Sequence, residues 1–96
     1  MAVKLDRQEV AAQMQTLPNW KLEGDQIERL LTFANFVDAM VFVNRVAEIA
    51  EEEGHHPDIR IVYNRVTLAL STHDANGLTR KDFVMARRID SVANVS

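Results

Sequence analysis

Residues 51–82 read EEEGHHPDIRIVYNRVTLALSTHDANGLTRKD, and the succession of signals within them decides the fold. Acids close an apolar-periodic segment, and Gly54 follows, suited to the left-handed position after a helix end. Pro57 then restricts His56 to extended backbone. Ile59 to Asn64 and Val66 to Thr72 alternate as two strands, joined by a tight turn near Asn64-Arg65. In the second, Val66, Leu68, Leu70 and Thr72 point one way while Thr67, Ala69, Ser71 and His73 point the other. One side is apolar and the other small and polar. Thr79, with Asp82 three residues later, caps a helix predicted from Arg80 to about Asn94, with Met85, Ile89 and Val92 turned inward.

The upstream half carries the same grammar. Asp6 and Glu9 form a capping pair for a first helix that places Val10, Met14 and Leu17 along one face and is stopped by Pro18. Trp20 to Glu23 and Gln26 to Phe33 flank Gly24-Asp25, a pair that turns a hairpin, and Ile27 and Leu31 alternate with charged neighbours. Asn35, with Asp38, caps a long helix from Phe36 to about Glu53. On it Phe36, Met40, Val43, Ala47 and Ala50 make one row, and Phe42, Val46 and Ile49 a second. That stripe is wider than one sheet face needs and suits either a core helix or helix packing between subunits. The predicted order is α-β-β-α-β-β-α, an α+β fold with a four-stranded antiparallel sheet and helices packed on one face.

The chain has 96 residues, 47% hydrophobic and 26% charged, and no cysteine. Such a length holds one domain, spanning residues 1–96, that buries roughly two thirds of its unfolded surface. Absence of cysteine excludes disulfides and thiolate metal sites and fits a reducing cytoplasm. A formal charge of −3 argues against wholesale phosphate neutralisation, so no direct nucleic-acid binding is expected. Neither a signal-peptide core nor a stretch of about 20 apolar residues is present, which predicts a soluble, unprocessed, cytoplasmic chain off the membrane.

All three histidines, His55, His56 and His73, fall within the quoted stretch. Imidazole titrates near neutrality, so gathering every copy into one segment points to proton transfer. Glu51 stands four residues before His55, close enough to orient that ring. The acids Glu48, Glu51, Glu52 and Glu53 oppose the helix macrodipole by roughly 0.3–1 kcal/mol each; for Glu52 and Glu53 a solvated acidic face explains them. Tyr63 reads as a strand aromatic packed beneath the site, and Trp20 as core or as a pocket wall able to stack on a flat heterocycle. Asp82 has a sufficient role as capping acid, with holding a histidine the lesser reading. Three imidazoles are also a possible zinc set, but the short His-to-His spacings of helical metal sites are missing, so metal ranks behind acid–base work.

The separations are more specific than their composition. Glu51 is followed after three residues by His55-His56-Pro57, after five more by Tyr63, after nine by His73 and after eight by Asp82. Together with Leu17-Pro18-Asn19-Trp20, Phe33, Phe36, Tyr63-Asn64, Ser71 to Asp74, Gly77-Leu78-Thr79 and Lys81-Asp82, this pattern resembles the pterin-4a-carbinolamine dehydratases over nearly the whole chain. It departs at Gly54, where some members carry an acid. The resemblance implies a 4a-hydroxytetrahydropterin substrate such as 4a-hydroxytetrahydrobiopterin, no cofactor or metal, and assembly into homodimers or homotetramers. It implies His55, His56 and His73 as catalytic residues, and backbone contacts to the pterin from His55 to Pro57 and from Thr72, His73, Asp74 and Ala75. Glu51, Asp82 and Trp20 are implied as supports. Two other roles stay open: a transcription-coactivator type of binding module, and a dehydratase-like protein acting on another pterin.

Overall fold

The computed structural model describes residues 3–93. Helix α1 is Arg7–Gln15, strands β1 and β2 are Lys21–Glu23 and Gln26–Thr32, helix α2 is Phe36–Glu53, strands β3 and β4 are Asp58–Val62 and Arg65–Leu70, and helix α3 is Arg80–Ala93. The expected end of the last helix at Asn94 lies outside the described residues. The four strands form one antiparallel sheet in the order β1-β2-β4-β3, which puts the two later strands on one side of β2 and leaves β1 and β3 at the edges.

Local chemistry sets most boundaries. At α1 the Asp6 carboxylate accepts from the Glu9 amide at 2.8 Å and Glu9 Oε1 accepts from the Asp6 amide at 3.0 Å, a complete capping box that satisfies two otherwise unpaired donors. The helix ends at Gln15, earlier than Pro18 alone demands, because the Thr16 amide turns back to the Gln13 and Met14 carbonyls. Asn35 Oδ1 accepts from the Asp38 amide at 2.8 Å to start α2, and Gly54, at φ 62°, ends it. Gly24, at φ 59°, occupies the first of two loop residues in the β1–β2 hairpin, where a side chain would be strained.

The turn between β3 and β4 falls one residue earlier than the alternation predicts. Tyr63 and Asn64 form it, with Tyr63 at φ 53°. Asn64 is held on both sides by Phe33: its side-chain amide donates to the Phe33 carbonyl and its own carbonyl accepts the Phe33 amide, each at 2.8 Å. That double tie fixes Asn64 opposite the end of β2 and forces the unfavourable conformation onto Tyr63. The tyrosine is exposed, so it is neither a strand residue nor packed beneath a site.

Register puts Ile27, Arg29 and Leu31 of β2 beside Leu70, Leu68 and Val66 of β4, and these beside Ile59 and Ile61 of β3. This face meets α2 and α3, whose Ala39, Phe42, Val43, Val46, Ile49, Phe83, Met85, Ala86 and Ile89 complete the core. Arg29, the one charge in that row, reaches Asp90 of α3, whose Oδ1 also accepts the Trp20 indole N–H at 2.8 Å. Trp20 is therefore a core residue, with its polar edge satisfied. The stripe on α2 divides: Phe42, Val43, Val46, Ile49 and Ala50 are buried and Met40 partly so, while Phe36 and Ala47 are exposed, as are Val37 and Val41 outside the stripe.

Candidate active site

The site grows from the three chain ends that meet around Asp82. Thr72 follows β4 on the inward side that the strand's alternation dictates, and it is buried with Thr79 and Asp82. The amide of Thr79 donates to Asp82 Oδ2 at 3.0 Å and the Asp82 amide returns a bond to the Thr79 carbonyl at 3.1 Å, which starts α3. The Thr72 hydroxyl donates to the same Oδ2 at 2.8 Å. Asp82 Oδ1 is left for the chain leaving α2: it lies 2.6 Å from His55 Nε2. Asp82 is thus helix cap and histidine partner at once, and its side chain is 0% exposed against 11% for His55.

Glu51 does not reach His55. Its Oε2 lies 2.6 Å from Nε2 of His56, and both side chains are exposed. The expected four-residue relation failed because Gly54 breaks the helix: beyond a left-handed residue, positions four apart no longer share a face. Glu52 and Glu53 are not a free acidic face either, since each accepts from Arg88 of α3, at 2.6 and 2.8 Å. Those bonds hold the Arg88 guanidinium above its ordinary value and supply a cation near the negative end of α2.

His73 opens a short 3₁₀ turn, His73–Ala75, that contains Asp74 and ends at Asn76 with φ 58°. The turn is closed by paired backbone bonds between Thr72 and Gly77 at 3.0 and 3.3 Å. His73 lines an open hollow of about 340 Å³ with Glu23, Asp25, Gln26, Ser71, Asn76 and Gly77. Its walls do not include His55 or His56, and no hydrogen bond among the described residues joins the His73 ring to theirs. The connection between the two histidine regions is through Thr72, whose hydroxyl touches the carboxylate that holds His55. Among the described residues no three histidine, aspartate or glutamate side chains converge to ligate a metal.

Sequence reasoning missed the hairpin residues around His73. The signal was present in the strand register: Ile27 pairs with Leu70, so the Gly24-Asp25 turn must overhang Ser71, whose hydroxyl donates to the Asp25 carbonyl at 2.8 Å. Glu23 of that wall also lies 2.8 Å from Lys21, whose ammonium is held above its ordinary value by that bond.

An imidazole seated on a buried carboxylate, with further imidazoles on adjoining loops, is the constellation that this small α+β fold presents. The profile of the family described as pterin 4 alpha carbinolamine dehydratase matches residues 3–92. A Thermomicrobium roseum protein named "Putative pterin-4-alpha-carbinolamine dehydratase" is 50% identical over 91 residues, covering 95% of this chain and 98% of that one. A protein of the same name from Acidobacterium capsulatum is 55% identical over 83 residues, covering 86% and 90%. The solved structure of a "transcriptional coactivator/pterin dehydratase" from Brucella melitensis superposes with a TM-score of 0.90 at 34% identity, covering 95% of this chain and 99% of that one. A pterin dehydratase-like RuBisCO assembly factor of the alpha-carboxysome shares the fold, with a TM-score of 0.66 at 22% identity over 80% of this chain and 89% of its own. The chain belongs to the pterin-4-alpha-carbinolamine dehydratase family. Among the described residues no helix is long and apolar enough to cross a membrane.

Proposed function

We propose that this protein removes water from a 4a-hydroxytetrahydropterin, returning the quinonoid dihydropterin that follows use of the pterin by an aromatic amino acid hydroxylase. One proton is delivered to the 4a-hydroxyl, the C4a–O bond breaks, water leaves, and the N5 proton departs as the C4a=N5 bond forms. No electrons change hands, so two imidazoles of opposite protonation suffice, each contributing on the order of a hundredfold or more. His55 and His73 exchange these protons, His56 binds and orients the ring, and backbone groups of His55 to Pro57 and of Thr72 to Ala75 contact the pterin. Asp82 orients His55, and Glu51 supports the site through His56.

The observation that carries this reading is the seat of His55 on Asp82. A carboxylate at 0% exposure is costly unless it is fully bonded, and the single exposed side of its network is an imidazole. The test is carbinolamine dehydration by purified His55→Ala and His73→Ala proteins. Each loses several orders of magnitude in turnover with the circular dichroism spectrum unchanged; unchanged turnover in both sinks the assignment.

A second reading, a binding module of the same fold, is favoured by the exposed apolar side chains of α2, where Val37 is 68% and Val41 52% exposed. Self-association into a homodimer or homotetramer in the cytoplasm covers the same surface. Size-exclusion chromatography with light scattering separates the two: a stable homo-oligomer supports self-association, and a monomer leaves the helix free for another partner.

A further inference from the structure

The hydrogen-bond accounting around Asp82 runs one link further than capping and histidine binding require. Thr72 and Thr79 place their hydroxyl oxygens 2.8 Å apart in the protein interior, and the Lys81 amide approaches Thr79 Oγ1 at 3.3 Å. A hydroxyl has one proton to give. The proton of Thr72 is committed to Asp82 Oδ2, so Thr72 Oγ1 must accept from Thr79, whose own oxygen accepts from the Lys81 amide. The chain of donors therefore points in one direction, from the first turn of α3 through two hydroxyls into the carboxylate. With the Thr79 amide also donating to Oδ2, that oxygen accepts twice, and the carboxylate form of Asp82 accepts at Oδ1 as well.

The ring of His55 inherits the consequence. An acceptor at Oδ1 requires a donor at Nε2, so the neutral imidazole carries its proton on the buried nitrogen. Nδ1 has no hydrogen-bond partner among the described residues, and none of their buried side-chain nitrogens or oxygens is left unpaired. Nδ1 is therefore not fully enclosed, in a side chain that is 11% exposed.

We propose that Thr72 and Thr79 are positioning residues that fix His55 as its Nε2–H tautomer, so that Nδ1 is the nitrogen that exchanges protons with substrate. This rests on the acid–base reading above and adds to it the atom used and the two hydroxyls that select it. Neither threonine touches the reacting atoms through its hydroxyl; both act through Asp82. Such an arrangement is worth having because the wrong tautomer leaves an imidazole in place but unable to accept at the required nitrogen.

The test begins with the wild-type protein. Its histidine ring nitrogens are read by ¹⁵N-labelled NMR along a series of rising pH until the spectra stop changing, and the tautomer is taken from that plateau. The proton of His55 is expected on Nε2; a ring protonated on Nδ1 overturns the proposal whatever any variant does. Thr72→Val, which keeps the side-chain shape and removes the donor, is expected to mix the two tautomers and lower kcat roughly ten- to a hundredfold, as loss of a bond to a charged group does. KM should stay within about twofold, and Thr72→Ser should restore both tautomer and kcat to within about threefold. A Thr72→Val protein with an unchanged ring spectrum and kcat overturns the proposal, as does failure of Thr72→Ser to recover either. Full turnover by both His55→Ala and His73→Ala defeats the underlying acid–base reading instead, and the ring spectra of folded wild-type protein distinguish that failure from this one.

Discussion

His55 and His56 are adjacent in sequence, and each places Nε2 2.6 Å from a carboxylate, yet the two pairs are physically unlike. The partner of His55 is 0% exposed and tied to two threonines, whereas His56 and Glu51 are 63% and 77% exposed. In water an ion pair of this geometry is screened and worth about 0–1 kcal/mol. Inside the protein the same separation is coupled to the cost of leaving a charge unpaired, which is several times larger. Distance alone does not rank contacts; what surrounds them does.

The comparison breaks most visibly at Asp82. Asp82→Ala removes an acceptor shared by His55, Thr72 and the Thr79 amide, and is expected to cost about 3–5 kcal/mol in urea unfolding; a loss below about 1 kcal/mol would mean the buried network is not holding the fold. Next comes a core control, Ile89→Ala, expected to cost about 2–5 kcal/mol by cavity formation while leaving the His55 ring spectrum in place; a changed tautomer would show that packing rather than hydroxyls sets the ring. Glu51→Gln should change stability by no more than about 1 kcal/mol, and the wild-type contribution should vanish as salt is raised; a salt-independent loss of several kcal/mol would erase the contrast. Smallest is Arg88→Ala, which frees Glu52 and Glu53 at the end of α2 and is expected to lower the unfolding temperature only slightly, checked by a calorimetric scan.

Most of the scaffold was legible because it is written in short-range rules. Asp6 with Glu9, Asn35 with Asp38, and Gly54 each act on backbone within a turn of themselves. The alternation of Val66, Leu68, Leu70 and Thr72 fixed which side of β4 faces inward. What escaped was contact between elements. Nothing adjacent to Glu52 or Glu53 announces Arg88, 35 residues from Glu53, and nothing next to Trp20 announces Asp90, 70 residues on. At the site, the histidines and Asp82 were visible as residue types, but the pairing of Glu51 depended on a change of direction at Gly54. The role of Tyr63 was misread for a related reason: the position of its turn is set by Phe33 on another strand.

Because one carboxylate both begins α3 and anchors His55, fraying of that helix start and release of the ring are a single event. The Thr79 amide, bonded to the same oxygen as Thr72, is therefore a built-in gauge: its rate of hydrogen–deuterium exchange measures how often the protein is caught with its imidazole adrift.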